Sequence, residues 1–324
     1  MHFAISIPQR VPDGTFDPAK LRDYLTRAES LGFHSVWTQE VVLGSAPALA
    51  PLELRSGTKK IEFGSVPTLS PLELMTFAAA CTTRLRLGCA VFVSPLHNPI
   101  HLAKSISTLD QLSRGRIEVG VGSGGGGRMF SAFEVDPASL IARFTEGLRL
   151  MKACWTEPRI NFSGRFWQLD GASMEPKPFQ KPYPPLWIGA NHPAAVRRAL
   201  RYGNGFFGAG SSTTAQFAQQ VHVLREALAE SKQDPSFQIA KRVYIAVDDN
   251  VTRARERVDT GLKQIYGSSG MTAVAVYGPP STCIKGLREV ADAGAELIQL
   301  HPLFDEGEQM ERLAAEVIGE VQNN

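Results

Sequence analysis

Eight short runs of apolar and β-branched residues, each followed by a stretch with helical apolar spacing, constrain the fold more than any other feature of the chain. Phe3 to Ile7 reads as a buried strand. Asp17-Pro18 then opens a helix through Leu31, with Leu21, Leu25, Ala28 and Leu31 on one face and Gly32 ending it. The same alternation gives strands at Ser35–Trp37, Leu85–Val93, Ile117–Val119, Leu186–Ile188, Gly205–Phe207, Ile239–Val247 and Glu296–Leu300. Helices are expected over Pro71–Ala80, His97–Leu112, Pro137–Trp155, Pro193–Tyr202, Thr213–Ser231, about 250–265, 279–293 and Glu308–Val321. Strict alternation demands a parallel sheet. Eight units in 324 residues predict one α/β domain over 1–324, a closed (β/α)8 TIM barrel. The alternative is a doubly wound sheet split into two lobes.

Two segments break the rhythm. Residues 158–185 carry Pro158, Pro176, Pro178, Pro182, Pro184 and Pro185 among five aromatics, which predicts an insertion between the fourth helix and fifth strand, lying as a lid across a barrel mouth. After strand two, Gly44–Leu54 recurs as Gly64–Leu74 with only three of eleven pairs changed, so 44–74 is a local duplication. Two copies are too few for a solenoid. Thr58–Phe63 between them has the pattern of a small extra strand.

Charge excludes several classes. Lys+Arg 34 against Asp+Glu 32 gives +2, too balanced for a nucleic-acid or anionic-membrane partner. No apolar run reaches the roughly 18 residues of a membrane span. The start, Met1-His2-Phe3-Ala4-Ile5, lacks a basic region, and Pro8, Gln9 and Arg10 interrupt it, so no signal peptide is expected. Cys81, Cys89, Cys154 and Cys283 form no C-x-x-C and read as reduced thiols of a cytoplasmic protein.

The motifs are weak one by one. Gly120-Val121-Gly122-Ser123-Gly124-Gly125 matches G-x-G-x-x-G, but a glycine loop follows where a dinucleotide site opens a helix. It reads instead as a strand end where a planar ligand approaches backbone. His97 and His101 lack the glutamate of a zinc protease, and no metal site is expected. Gly189-Ala190-Asn191-His192-Pro193 follows strand five and opens a helix, a geometry able to hold phosphate, with Arg197, Arg198 and Arg201 adding charge or forming only a solvated face. Gln39-Glu40 lies just past strand two, at the catalytic face of a barrel, where a polar pair either serves chemistry or caps the next loop.

Taken together, Leu85–Lys104, the run Thr108-Leu109-Asp110-Gln111-Leu112-Ser113-Arg114-Gly115-Arg116, and Gly120-Val121-Gly122 resemble the signature of the luciferase-like monooxygenase superfamily, whose enzymes use flavin or deazaflavin. Gly32–Trp37, Pro185–Gly205 and Glu289–His301 fit the same family. The resemblance implies a (β/α)8 barrel, usually a homodimer, with the cofactor ring at the C-terminal mouth. Trp37, the Leu109–Arg116 run and the Gly189-Ala190-Asn191 loop are most similar to the branch that uses coenzyme F420.

That resemblance implies cofactor-binding roles for Ala90, Val91, Gly122, Gly189, Ala190 and Asn191, with Ala90–Val91 as a non-prolyl cis bond beneath the ring. It places Gln39 and Glu40 where relatives often carry Asp-His, as the residues meeting substrate. The activity it implies is hydride transfer between reduced coenzyme F420 and a small apolar or aromatic substrate. The alternatives are an FMN-dependent monooxygenase fed by a separate cofactor reductase, or a non-catalytic flavin-binding relative.

Overall fold

The computed structural model describes residues 1–11, 15–43, 67–124, 129–230 and 236–323. Its strands are β1 (His2–Ser6), β2 (Ser35–Thr38), β3 (Arg86–Val93), β4 (Ile117–Gly122), β5 (Ile160–Ser163), β6 (Gln168–Ala172), β7 (Leu186–Ala190), β8 (Gly205–Gly208), β9 (Gln238–Val247), β10 (Ala275–Gly278) and β11 (Leu297–Pro302). The parallel order β1-β2-β3-β4-β7-β8-β9-β11 closes on itself through His2–Ile5 against Leu297–Leu300. This is the expected (β/α)8 barrel, and the open two-lobed sheet is excluded. Sequence reading missed two features. Strand β10 pairs with the far half of β9 outside the ring, and β5 and β6 form an antiparallel hairpin.

The helices start where their caps dictate. Asp17 accepts the amides of Ala19 (2.9 Å) and Lys20 (3.4 Å), with Pro18 in the first turn. Asn98 does the same for Pro99–Ser113, accepting from Ile100 at 3.0 Å, so that helix begins two residues later than expected and His97 stands outside it. Between the ring of strands and the helices lies the main core, with Leu25, Met75, Ile106, Leu148, Met151, Phe217 and Leu287 almost fully buried.

Period-two alternation gives the barrel interior its own layers. Ala4, Trp37, Ala90, Trp187, Phe207, Ala240 and Leu297 fill the middle. Trp37 packs face against edge on Trp187, 6.1 Å between centroids, and 4.8 Å from Phe207. Gly205 leaves space for Trp187, since a Cβ there would sit 2.5 Å from its ring. One step further along each strand, the inward positions are Ser6, Gln39, Arg242 and Gln299. Apolar filling thus gives way to polar side chains at the C-terminal mouth.

Two buried carboxylates fasten the 158–185 segment to the barrel. Glu146, on the outer helix Leu140–Thr156, is buried and accepts the amides of Arg165 (3.0 Å), Phe166 (2.8 Å) and Trp167 (3.1 Å) at the hairpin tip. Asp110, also buried, accepts the backbone and side-chain amides of Gln180, both at 2.8 Å, and Gln180 reaches the carbonyl of Ile117 at the start of β4. A buried carboxylate needs such donors, and these two strap the segment along the barrel flank down to its N-terminal end. The first duplicated copy and Thr58–Phe63 lie outside the described residues. Within the second copy, residues 67–69 pair with the β1 exit, Val11 to Pro67 at 2.9 Å and Leu69 to Gln9 at 3.0 Å, and Pro71–Leu74 open the helix Pro71–Cys81.

Removing the Glu146 acceptor strands three amides. Glu146→Ala is expected to lower unfolding free energy by about 2–4 kcal/mol in urea denaturation. A loss below about 0.5 kcal/mol would show that the hairpin tip is held elsewhere.

Candidate active site

At the C-terminal mouth, a cavity of about 500 Å³ opens above Trp37, within the range of small-molecule sites. The ends of β1, β2, β9 and β11 line it with Ser6, Gln9, Arg10, Gln39, Arg242, Gln299 and His301. The helix Val251–Tyr266 and the 303–306 turn supply its far wall, including Ile265, Leu303 and Phe304. Arg257 pairs with Asp305 at 2.5 Å and lies 3.6 Å over the Phe304 ring, which fixes that wall.

Arg242 organises the floor. Its guanidinium donates to Gln39 Oε1 (3.0 Å), to Gln299 Oε1 (3.2 Å) and to the carbonyl of Ala90. Gln299 in turn donates to Ser6 Oγ at 3.0 Å. Gln39 is held a second way, its amide donating to Gln9 Oε1 at 3.0 Å and its carbonyl accepting from Gln9 Nε2 at 2.5 Å. A guanidinium cannot shed its proton, so partial burial obliges it to collect these acceptors.

His301 packs edge-on against Tyr244, 5.1 Å between centroids, and its Nδ1 is buried without a hydrogen-bond partner. Burial first, and then the charges of Arg242 and Arg10, hold its pKa well below the usual imidazole value, so it is neutral at pH 7. Burial also lowers the pKa of Arg10, whose Nε is likewise unpartnered. Tyr244 shares a 2.8 Å hydroxyl contact with Tyr266.

Of the residues expected to meet substrate, Gln39 lines the cavity and Glu40 does not. The Glu40 side chain is 4% exposed and fastens the β3 exit: Oε2 accepts the Val93 amide at 2.6 Å, and Oε1 lies 2.8 Å from His97 Nε2. In this structure the Glu40 carboxylate supports the end of β3. Among the described residues no group of His, Cys, Asp or Glu is placed to hold a metal ion. The four thiols are unpaired, three of them buried.

The residues expected at the cofactor gather on the opposite side of the mouth. The Ala90–Val91 bond is cis, at an irregularity in the β3–β4 register between Cys89 and Phe92. Val91 projects between the ends of β4 and β7, where a Cβ on Gly122 would come within 2.7 Å of it and one on Gly189 within 2.8 Å. Those two glycines thus make room for Val91. Asn191 is tied to the loop after β8, accepting from Ser212 Oγ at 3.2 Å through its side chain and from Gln220 Nε2 at 3.2 Å through its carbonyl. The first free amide of the helix Pro193–Tyr202, that of Ala194, already meets His192 Nδ1 at 3.4 Å. Arg197 and Arg201 are exposed, and Arg201 lies over Tyr202.

Sequence reading missed Arg10, Arg242, Gln299, His301 and the buried Lys241. The signal was present. Lys241-Arg242 interrupts an apolar strand, and Gln299 and His301 alternate with Ile298 and Leu300. Lys241 points outward and donates to the carbonyls of Ala209 and, at 3.0 Å, Ser212, pinning the loop after β8. Burial, with a smaller contribution from Arg242, lowers its pKa from 10.5 to about 7. Between those values the unfolded chain holds the extra proton, so stability gains with rising pH across that window. Lys241→Met is expected to flatten this gain, read from urea melts at about pH 7 and about pH 9. An unchanged pH slope would show that Lys241 titrates normally.

Comparison with known proteins agrees with this architecture. The Luciferase-like monooxygenase family profile matches residues 1–274. An F420-dependent glucose-6-phosphate dehydrogenase of Amycolatopsis mediterranei (strain U-32) is 30% identical over 206 residues, 59% of this chain and 53% of that protein. The chain spans about half the length of the first curated relatives it matches. An F420-dependent secondary alcohol dehydrogenase, solved with an F420-acetone adduct, superposes with TM-score 0.80 at 19% identity over 99% of this chain and 98% of that one. The FMN-bound oxygenating constituent of 3,6-diketocamphane monooxygenase from Pseudomonas putida gives 0.74 at 17% identity, covering 99% and 98%. At these identities the solved structures establish the fold, and the match over most of the chain establishes that it belongs to the luciferase-like monooxygenase family, an oxidoreductase family.

Proposed function

We propose that the protein transfers a hydride between reduced coenzyme F420 and a small organic substrate held in the cavity above Trp37. The observation that carries this reading is Arg242, which links the Ala90 carbonyl on one side of the mouth to Gln39 and Gln299 in the cavity floor. Such a link would set cofactor edge and substrate side by side, as hydride transfer at van der Waals distance requires. The F420-dependent relatives support the deazaflavin over FMN.

The residues present fit such a group. Ala90, Val91 and Gly122 would hold one edge of it and Gly189, Ala190 and Asn191 the other, and the Ala194 amide, whose contact with His192 Nδ1 is long at 3.4 Å, would be available to a phosphate. Bound reduced coenzyme F420 supplies a hydride from its C5 carbon and reacts poorly with oxygen. The chain's own residues do the rest. Trp37 closes the floor against water. Because Gln39 Oε1 already accepts from Arg242, its NH₂ end is the one left to meet a substrate oxygen. Glu40 keeps β3 in place from behind, through Val93 and His97. In this reading the enzyme acts in the cytoplasm as a homodimer, with unpaired thiols supporting a reducing compartment. No described helix is long and apolar enough to cross a membrane.

A second reading, an FMN-dependent monooxygenase supplied by a separate reductase, is favoured by the FMN-bound neighbour of the same fold. Parallel fluorescence titrations of the apoprotein separate the two. Micromolar coenzyme F420 binding with FMN at least tenfold weaker is expected, and the reverse preference would establish the flavin reading. Gly189→Ala, which must displace Val91, is expected to weaken coenzyme F420 binding about tenfold. Unchanged affinity would remove the β7 loop from the cofactor site.

A further inference from the structure

The cavity holds more positive charge than its hydrogen bonds use. Arg10 and Arg242 both line it, and each acts electrostatically on the other and on His301. Arg242 is engaged by three oxygens, none of them carboxylate. Arg10 Nε and His301 Nδ1 are buried and unpartnered. Two guanidiniums and a neutral imidazole brought together in this way are costly unless an acceptor completes them.

Among the described residues, the acids nearby do not supply it. Glu256 is exposed, and Asp305 is paired with Arg257. The Glu306 carboxyl has its pKa raised by burial and then by Asp305, which disfavours its charged form. The backbone of Arg10 is also fixed, because the Val11 amide donates to the Pro67 carbonyl and the Gln9 carbonyl accepts from the Leu69 amide. Its side chain is thus presented from an anchored strand.

We propose that Arg10, Arg242 and His301 form an oxyanion-binding position, and that the substrate of this oxidoreductase carries a carboxylate or phosphate-type group seated there. Apolar walls at Trp37, Ile265, Leu303 and Phe304 take the rest of a small acid. This rests on the reading of the cavity as the substrate pocket. The same oxyanion chemistry has a second source, the acidic tail of the cofactor, and the experiment separates them.

Benzoate and its uncharged isostere benzamide are titrated calorimetrically into the full chain, with and without coenzyme F420. Benzoate is expected to bind with a Kd of about 1 mM or tighter, at least about tenfold better than benzamide. Arg10→Gln should erase that preference, and Arg10→Lys should retain part of it, with the melting temperature of each variant confirming folding. The preference should survive loading with coenzyme F420. Equal binding of the two probes, no benzoate binding, or an undiminished preference in Arg10→Gln overturns the oxyanion position. Displacement of benzoate by coenzyme F420 overturns its assignment to substrate and gives the position to the cofactor's own acid. Both readouts use the apoprotein as baseline, so failure of the cofactor to bind leaves the result at Arg10 intact.

Discussion

A guanidinium placed at the centre of a barrel mouth must find oxygen acceptors, and much of the site follows from how Arg242 does so. Its partners come from three separate strands, β2 through Gln39, β3 through the Ala90 carbonyl and β11 through Gln299. Arg242 thereby ties the ends of those strands to one another. With it, Gln39 presents one end of its amide, the Ala90 carbonyl is fixed, and Gln299 passes the constraint on to Ser6. The permanent charge then acts on its neighbours, helping to keep His301 neutral and adding to the burial effect on Lys241.

Beneath that layer, the barrel interior is filled by large aromatics rather than by many aliphatics. Trp37, Trp187 and Phe207 occupy the middle, with small residues opposite them, so the cavity has a rigid floor at a defined depth. Both tryptophan N–H groups are satisfied inside the barrel, by Ser35 Oγ at 2.8 Å and Glu118 Oε2 at 2.6 Å. Glu118 is also paired with Arg86 near the N-terminal end, the half of a barrel that serves stability. The two ends of one scaffold thus use buried charge differently: closed pairing below, and unpartnered donors above.

The eight barrel strands and the Asp17-Pro18 cap were legible in the sequence, because parallel buried strands read as apolar runs and a cap is local, whereas the Asn98-Pro99 cap and the strands β5, β6 and β10 were passed over. The place of the Ala90–Val91 bond came from family resemblance, and the structure shows the cis geometry there. What the sequence did not disclose is long-range. Nothing near Glu40 says that its carboxylate turns toward Val93 and His97, and nothing in the proline-rich 158–185 stretch says that Glu146 and Asp110 will strap it to the barrel flank. The polar cavity depended on Arg10, Arg242 and the Gln299–His301 strand end, three parts of the chain that are far apart in sequence and meet only once the ring closes. Period-two counting along β9 and β11 would have placed Arg242, Gln299 and His301 inside the barrel. Apolar pattern matching passed over them because it treats a polar residue in a strand as noise.

The central claim is that the mouth is divided, with cofactor on the Val91, Gly122 and Gly189 side and the arginine-lined cavity kept for substrate. A crystal structure with bound coenzyme F420 tests it most directly. The account predicts the deazaflavin ring against Val91, between the ends of β3, β4 and β7, with the space above Trp37 and beside Arg10 still open. A ring lying in that space against Phe304, with its acidic tail on Arg10, would contradict the division and the account built on it.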